Sequence, residues 1–316
     1  MRTDQAPYRR RHPARQYRYA PGGRLRSVLL RMVLVVFCLV GLTVSGIRLY
    51  RYIADSRQTQ HTNQAAAALY RAGEVPEPSQ TLAARLGVTG MPLVSATSVP
   101  SSGPVFQKIA ESPLPRFKEL LRANPDVIGW LNIRGELDLP VVYRDNEYYL
   151  TRDVYRKKSP AGTLFLDENH PLVSSAQHLV LHGHNMKDGS MFGRLQRYLE
   201  LDYLKKHGIL QFDTLYQESA YVVFAVLIVP ENARSAGYIH YLGHPAFHSQ
   251  EQFLSFADDL KERSKYVIPV DIAADDSLLT LSTCYDKDRL LVVARRIRLG
   301  ESVTSLKQSL ECAYKR

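Results

Sequence analysis

An apolar segment from Val28 to Ile47 constrains this 316-residue chain more than any other feature of its sequence. Arg31 is the only charged residue in the segment, and it lies near one end, where a long side chain can reach the lipid surface. About 20 apolar residues in a helix are enough to cross the hydrocarbon core of a bilayer. The segment therefore predicts a membrane-spanning helix.

The charge distribution predicts the orientation of that helix. The formal net charge is +10, and the first 31 residues hold nine arginines against a single acid, Asp4, which leaves only +2 for the rest of the chain. The excess charge marks a tail and not a nucleic-acid-binding face. An Arg-rich flank stays in the cytosol, so everything after Ile47 is expected outside. A cleaved signal peptide is the alternative, but Val44-Ser45-Gly46 is a poor cleavage site, and we expect an uncleaved anchor.

Composition divides the chain into four expected parts. Residues 49–72 have helical composition, whereas 73–104 are rich in Pro, Ser, Gly and Thr, as in a linker. We expect an Arg-rich cytosolic tail at 1–26, a transmembrane signal anchor at 27–48, an extracellular stalk at 49–104, and a folded domain at 105–316.

Short β-prone runs separated by turns dominate the folded domain. A helix from Pro115 to Ala123 is expected first, ended by Pro125. Eight strands separated by turns favour a mainly β fold, a barrel or a sandwich, over a parallel α/β sheet. The strand candidates are 127–133, 139–143, 163–166, 177–182, 209–213, 221–229, 277–283 and 290–299.

A long insertion, about 230–268, separates the sixth and seventh predicted strands. Apolar residues recur at helical spacing within it, which predicts a helix packed on the sheet; these are Phe253, Phe256, Ala257 and Leu260. An aromatic and histidine-rich patch precedes the helix, but its spacing does not suit a metal site. The patch consists of Tyr238, His240, Tyr241, His244 and His248.

One β-prone run near the C-terminus ends on a cysteine. Leu278–Cys284 is followed by a polar turn, and the next apolar run starts at Arg289. Two adjacent strands of this kind present side chains at one rim, so Cys284 and Arg289 are expected to face the same pocket. A surface position suits Arg295 and its neighbours Arg296 and Arg298 better than Arg289.

A second strand, Gln177–His182, runs into a loop that contains His184. A thiol becomes a strong nucleophile when a histidine or another cation favours its thiolate form. A strand-end cysteine and a loop histidine are therefore a candidate catalytic pair, although they lie far apart in the sequence.

Together these motifs resemble those of class B sortases. Thr280-Leu281-Ser282-Thr283-Cys284 matches the family's TLxTC signature, and Gly183–Phe192 matches its histidine loop. Arg289 and the apolar run after it match the family's arginine strand. The likeness covers roughly residues 105 to 300 in the right order. It implies an eight-stranded β-barrel with an N-terminal helix and a helix in the long loop between strands 6 and 7.

The resemblance and the chemistry of the side chains assign three catalytic roles. Cys284 is the expected nucleophile, which forms a thioester with the substrate. His184 is the expected acid-base group, and the family pattern favours it over His182, a position that is often tyrosine in relatives. Arg289 is expected to bind the substrate carbonyl or the oxyanion that develops on it.

Five neighbouring residues are expected to contact the substrate or to line the site: Ser282, Thr283, His182, Asn185 and Tyr285. Many class B members carry an acidic residue directly after the cysteine, where this chain has Tyr285. No cofactor and no metal are implied.

The resemblance also implies the reaction and the partners. A class B sortase cleaves a C-terminal sorting motif, often NPxTN-like, in a secreted protein. It then joins the new carboxyl end to an amine of the cell-wall peptide precursor or, in pilus assembly, to a pilin lysine. The alternatives are a cysteine-dependent L,D-transpeptidase or another exported cysteine peptidase, and a non-catalytic membrane-tethered assembly module. The L,D-transpeptidase has an SxGCR-type motif, which is absent around Cys284. The non-catalytic module predicts that Cys284, His184 or Arg289 is missing, whereas all three are present.

The other two cysteines have simpler interpretations. Cys38 lies inside the apolar span and is expected to act as a small apolar residue. A disulfide between Cys284 and Cys312 is formally compatible with an exported domain, but it would consume the expected nucleophile.

Overall fold

The computed structural model describes residues 22–73, 112–170, 176–242 and 247–316. The chain divides into two compact units, one that ends at Ile53 and one that runs from Ala54 to Arg316. Most of the predicted tail, the part of the stalk at 74–104 and His244 lie outside the described residues.

The first helix, α1, spans Gly22–Ala72 and contains the predicted membrane span. Its stretch from Leu29 onward is long and apolar enough to cross a membrane. Large apolar side chains in this stretch are exposed, and Phe37 reaches 79 % exposure. An exposed apolar surface of this extent is expected of a helix that lipid surrounds.

Eight strands of the second unit close a barrel, which confirms the predicted mainly β fold. The barrel strands are β1 Val127–Ile133, β2 Leu137–Val142, β3 Leu164–Leu166, β4 His178–His182, β5 Ile209–Thr214, β6 Ala220–Pro230, β8 Leu278–Tyr285 and β9 Asp288–Arg296. Their order around the barrel is β1-β2-β3-β4-β8-β9-β6-β5. Two further strands, β7 Tyr266–Val267 and β10 Tyr314–Lys315, pair with each other outside the barrel and were not predicted.

Short helices connect the strands. The predicted helix at Pro115–Ala123 begins as a 3-10 turn, Pro115–Phe117, and continues as an α-helix. In the described part of the chain, the α-helices after α1 are α2 Lys118–Ala123, α3 Leu201–His207, α4 Gln250–Arg263 and α5 Val303–Glu311. Two more 3-10 helices span Tyr148–Leu150 and Gly193–Leu199.

Helix α4 is the predicted helix of the long insertion. The Ser249 side chain caps its first turn by accepting a hydrogen bond from the Gln252 backbone N–H at 3.2 Å. Its residues Phe253, Ala257 and Leu260 are fully buried, as the helical spacing predicted.

The last part of α1 belongs to the folded domain, which differs from the expected stalk. Ala66, Ala67 and Tyr70 are buried at 6 % exposure or less. The Tyr70 ring stacks on Trp130 with centroids 4.3 Å apart, and its hydroxyl donates a 2.7 Å hydrogen bond to Asp213 Oδ2. The second compact unit therefore starts at Ala54, and this helical segment packs into the core around Trp130.

Arg295 is a second difference from the sequence-based expectation. It is fully buried, where a surface position was expected. Its guanidinium donates hydrogen bonds of 2.8 and 2.6 Å to the two carboxylate oxygens of Glu301, which lies beyond the end of β9. A bidentate pair of this kind is what allows an arginine to be buried.

The Tyr70 contact predicts a large effect on stability. Tyr70→Ala removes a buried ring and should lower the free energy of unfolding by about 3 kcal/mol, whereas Tyr70→Phe keeps the stack and should cost about 1 kcal/mol. Trp130 is the only tryptophan, so the fluorescence of the full chain in detergent reports this contact directly. The matched control is Tyr314→Ala, at a tyrosine that is 58 % exposed. Equal stability of Tyr70→Ala and Tyr314→Ala would contradict the assignment of this segment to the domain.

Candidate active site

The hairpin between β8 and β9 places a thiol opposite a guanidinium. Asp286 takes the left-handed conformation that the tight turn needs, with φ of 51°. Tyr285 pairs with Asp288, and the next pair outward is Cys284 with Arg289. Directly opposed residues of an antiparallel pair have Cβ atoms about 5 Å apart on one face of the sheet. The structure therefore brings Cys284, which is exposed, next to Arg289.

The histidine loop lies beside the same strand end. β4 and β8 are parallel neighbours, and His182 pairs with Ser282. Since both strands end at the same edge, the loop after His182 lies next to Cys284. Gly183 makes the close turn possible, because a Cβ there would lie 2.4 Å from Leu164 Cδ2 and 2.8 Å from Phe192 Cδ2.

Two side chains tie the loop to β8. The Thr283 hydroxyl donates a 2.7 Å hydrogen bond to the Gly183 carbonyl, and the Asn185 amide donates one of 2.8 Å to the Cys284 carbonyl. Gln196 in turn donates a 2.7 Å hydrogen bond to Asn185 Oδ1, which fixes the orientation of that amide. The residues on both sides of His184 are therefore held against the strand that carries the cysteine.

The His184 ring has a defined hydrogen-bond partner. Its Nε2 lies 2.8 Å from the backbone carbonyl of Leu150, at the end of the 3-10 helix Tyr148–Leu150. A carbonyl only accepts, so Nε2 carries the hydrogen. In the neutral ring, Nδ1 is therefore the atom that takes up and returns a proton. Sequence reasoning missed Leu150 because its contribution is a backbone atom.

His182 takes part in a buried carboxylate network. Its Nε2 lies 3.0 Å from Asp167 Oδ2, and Asp167 is 1 % exposed. Asn146 and Asn169 also donate side-chain hydrogen bonds of 3.0 Å to this carboxylate. Burial alone would raise the pKa of Asp167, but the His170 ring, whose Nδ1 lies 3.4 Å from Asp167 Oδ1, and the hydrogen bond and electrostatic interaction with His182 hold it well below its usual range. His182 is thus fixed beside the site by an ionised carboxylate.

Tyr241 covers the strand next to the cysteine. It lies between β6 and α4, and its hydroxyl is 3.1 Å from Ser282 Oγ. Both residues are buried, and burial raises the pKa of the Tyr241 phenol. The sequence placed Tyr241 only in a histidine-rich patch, whereas the structure places it over the active-site strand.

The five residues expected to contact the substrate differ in their burial and in their partners. Thr283 is fully buried and, with Asn185, holds the histidine loop. Ser282 is buried under Tyr241. His182 is slightly exposed beside Asp167, and Tyr285 is half-buried at the hairpin turn. His182, Asn185 and Tyr285 are therefore the three of the five whose partial exposure suits contact with a ligand.

Comparisons with known proteins agree on one family. The model of the Sortase domain family matches residues 134–297. Sortase B of Listeria monocytogenes is 30 % identical over 187 residues, which cover 57 % of this chain and 73 % of that protein.

Solved structures agree with the sequence comparison. Sortase B from Bacillus anthracis in complex with AAEK1 superimposes with a TM-score of 0.60 and 26 % identity, covering 77 % of this chain and 98 % of that one. A substrate complex of Staphylococcus aureus sortase B gives a TM-score of 0.53 and 28 % identity, covering 60 % of this chain and 88 % of that one. The chain therefore belongs to the sortase family, as a sortase B-type cysteine transpeptidase.

The Asp167 network predicts a pH-dependent stability. The pKa of Asp167 is lower in the folded protein than the value of about 3.9 in an unfolded chain, so its contribution is present above that value and is lost as the pH falls further. Asp167→Asn should lower the free energy of unfolding by about 2 kcal/mol at pH 7, and the difference from wild type should shrink below about pH 4. Denaturation of the full chain at several pH values measures this.

The matched control for this prediction is Asp275→Asn, which changes an exposed aspartate. It should leave the pH dependence of stability as it is in the wild type. A constant difference between wild type and Asp167→Asn from pH 7 to pH 3 would contradict the ionised state of Asp167.

Proposed function

We propose that this protein is a membrane-anchored transpeptidase that cleaves a C-terminal sorting motif of secreted proteins and transfers the acyl part to an amine. Anchoring is supported by the apolar part of α1 and orientation by the arginines before it. In this arrangement the N-terminus is cytosolic, residues 27–48 form the single-pass anchor, and the catalytic domain lies outside the cell membrane.

One observation carries the catalytic proposal. The cysteine and the arginine are paired across the β8–β9 hairpin, and the loop that bears His184 is hydrogen-bonded to the carbonyl of that same cysteine. Three groups with complementary chemistry thus converge at one rim of the barrel. Proximity of this kind allows a nucleophile, an acid-base group and an oxyanion ligand to act on one carbonyl.

In the acylation step, the Cys284 thiolate attacks the scissile carbonyl carbon. The charge that develops on the oxygen is stabilised by the Arg289 guanidinium. When the C–N bond breaks, His184 donates its Nδ1 proton to the departing amine, and a thioester on Cys284 remains.

In the transfer step, a primary amine attacks the thioester. The neutral His184 ring accepts the proton that the amine loses, and the Cys284 sulfur leaves as the thiolate. The ring returns to its protonated form, so no metal or cofactor is needed for the cycle.

The proposed donor is an NPxTN-like motif, and the acceptor is an amine of the peptidoglycan precursor or a pilin lysine. A structural relative, sortase B of Staphylococcus aureus, is known in complex with its substrate, which supports a substrate-processing role for this chain. Both acceptors are primary amines, and the site treats them by the same chemistry. Nucleic acid is not a partner in this proposal.

A peptide panel tests the proposal. The full chain in detergent is incubated with fluorogenic NPxTN-, SPxTG- and LPxTG-like peptides, with and without triglycine as the amine. We expect cleavage of the NPxTN-like peptide and a ligated product when the amine is present. Cys284→Ala should abolish turnover, and Arg289→Lys and His184→Gln should each lower kcat by about 100-fold or more.

The matched control is Cys312→Ala, which removes another exposed, free cysteine. It should retain wild-type turnover. Turnover that survives in Cys284→Ala, or a folded wild type that cleaves no peptide of the panel, would contradict the proposed reaction.

A further inference from the structure

Glu231 forms a close ion pair with the arginine of the site. It directly follows β6, and a single oxygen, Oε1, accepts two hydrogen bonds from Arg289, at 3.1 Å from Nε and 2.5 Å from Nη2. The Glu231 side chain is 58 % exposed, and that of Arg289 is 27 % exposed. The proposed reaction gives Glu231 no role.

The barrel order explains how Glu231 reaches Arg289. β9 lies between β8 and β6, so Arg289 has the cysteine strand on one side and β6 on the other. Val229 pairs with Arg289, and Pro230 with Asp288, so Glu231 comes immediately after the last pair. Arg289 is therefore flanked by Cys284 on one strand and by Glu231 at the end of the other.

The hydrogen bonds leave part of the guanidinium available. Arginine has five N–H donors in a rigid planar fork, and Glu231 uses two of them. Because the fork is planar, fixing one edge also fixes the direction of the remaining N–H bonds. Burial lowers the pKa of Arg289, but the hydrogen bond to Glu231 and the electrostatic interactions with Cys284, Tyr241 and Glu231 raise it above its ordinary value. The guanidinium thus stays charged while it is held.

A purely stabilising role does not account well for this pair. An ion pair with an exposed partner contributes at most about 1 kcal/mol to folding. The loss of a positioned donor to an oxyanion, in contrast, slows catalysis by orders of magnitude. The pair therefore matters more for the orientation of Arg289 than for the stability of the domain.

We propose that Glu231 is a positioning residue, which holds the Arg289 guanidinium so that its free N–H bonds point to the oxyanion formed at Cys284. The proposal rests on the proposed function. Glu231 does not touch the reacting atoms and acts only through Arg289. Its effect should therefore depend on the ability of residue 231 to accept hydrogen bonds.

Two substitutions separate the hydrogen bonds from the charge. Glu231→Gln keeps an oxygen that accepts both hydrogen bonds, whereas Glu231→Ala removes it. We expect Glu231→Ala to lower kcat for peptide cleavage by about 10-fold with KM changed less than about 2-fold, because a misplaced Arg289 stabilises the oxyanion of the transition state less well. Glu231→Gln should restore kcat to within about 3-fold of wild type. Assays use the full chain in detergent.

The matched control is Glu218→Gln, at the opposite end of β6. Glu218 is 53 % exposed and forms a 2.6 Å ion pair with Arg116, so it resembles Glu231 in exposure and pairing. It should leave kcat unchanged. Wild-type kcat in Glu231→Ala, or equal losses in Glu231→Ala and Glu231→Gln, would overturn the proposal.

Alkylation of Cys284 by iodoacetamide tests the pair without any peptide. The variants are made in the Cys312→Ala background. Glu231→Gln removes a negative charge near the thiol, but Arg289 stays in its position. The pH midpoint of the alkylation rate should therefore lie about 0.3 unit below that of the protein with Glu231. Glu231→Ala lets Arg289 move away, and its midpoint should lie above that of Glu231→Gln. If the wild type cleaves no peptide, the proposed function fails, but the alkylation midpoints still test the role of Glu231. Identical midpoints for Glu231→Gln and Glu231→Ala would overturn that role.

Discussion

The pairing of β8 with its two neighbours is the constraint on which the whole site depends. Parallel pairing with β4 brings the histidine loop to the end of β8, and antiparallel pairing with β9 sets Arg289 opposite Cys284. Side chains alternate between the faces of a strand, so a shift of one residue would move the cysteine to the other face. Buried leucines on the opposite face, Leu279 and Leu281, oppose such a shift.

The site is held in place by hydrogen bonds that do not involve the reacting atoms. Thr283 and Asn185 fix the loop against β8, and the Leu150 carbonyl fixes the His184 ring. Thr283 is fully buried, and a buried polar group is costly when unpaired, so its hydrogen bond holds the loop and the strand together. These hydrogen bonds hold the histidine loop against the strand that carries the exposed Cys284 thiol, as the preorganised site of the proposed mechanism requires.

Much of the fold could be predicted from the sequence, as could the proximity of Cys284, Arg289 and the loop that bears His184. Strand bounds were close because alternating β-prone runs are separated by clear turns, and the helix at Gln250–Arg263 followed from its apolar spacing. Tyr70 was assigned to a stalk because only a narrow face of that helix is buried. The burial of Arg295 and the contacts of Tyr241 and Glu231 depend on tertiary register, which no local pattern contains.

The most direct test of the account is intact-mass spectrometry of the full chain, mixed with an NPxTN-like peptide and quenched in acid. Acid stops the reaction by protonating amines, and it preserves a thioester. The account predicts an added mass equal to the N-terminal part of the peptide, located on the Cys284 peptide after digestion and removed by hydroxylamine. An adduct on another residue, or release of cleaved peptide without any thioester on Cys284, would contradict it.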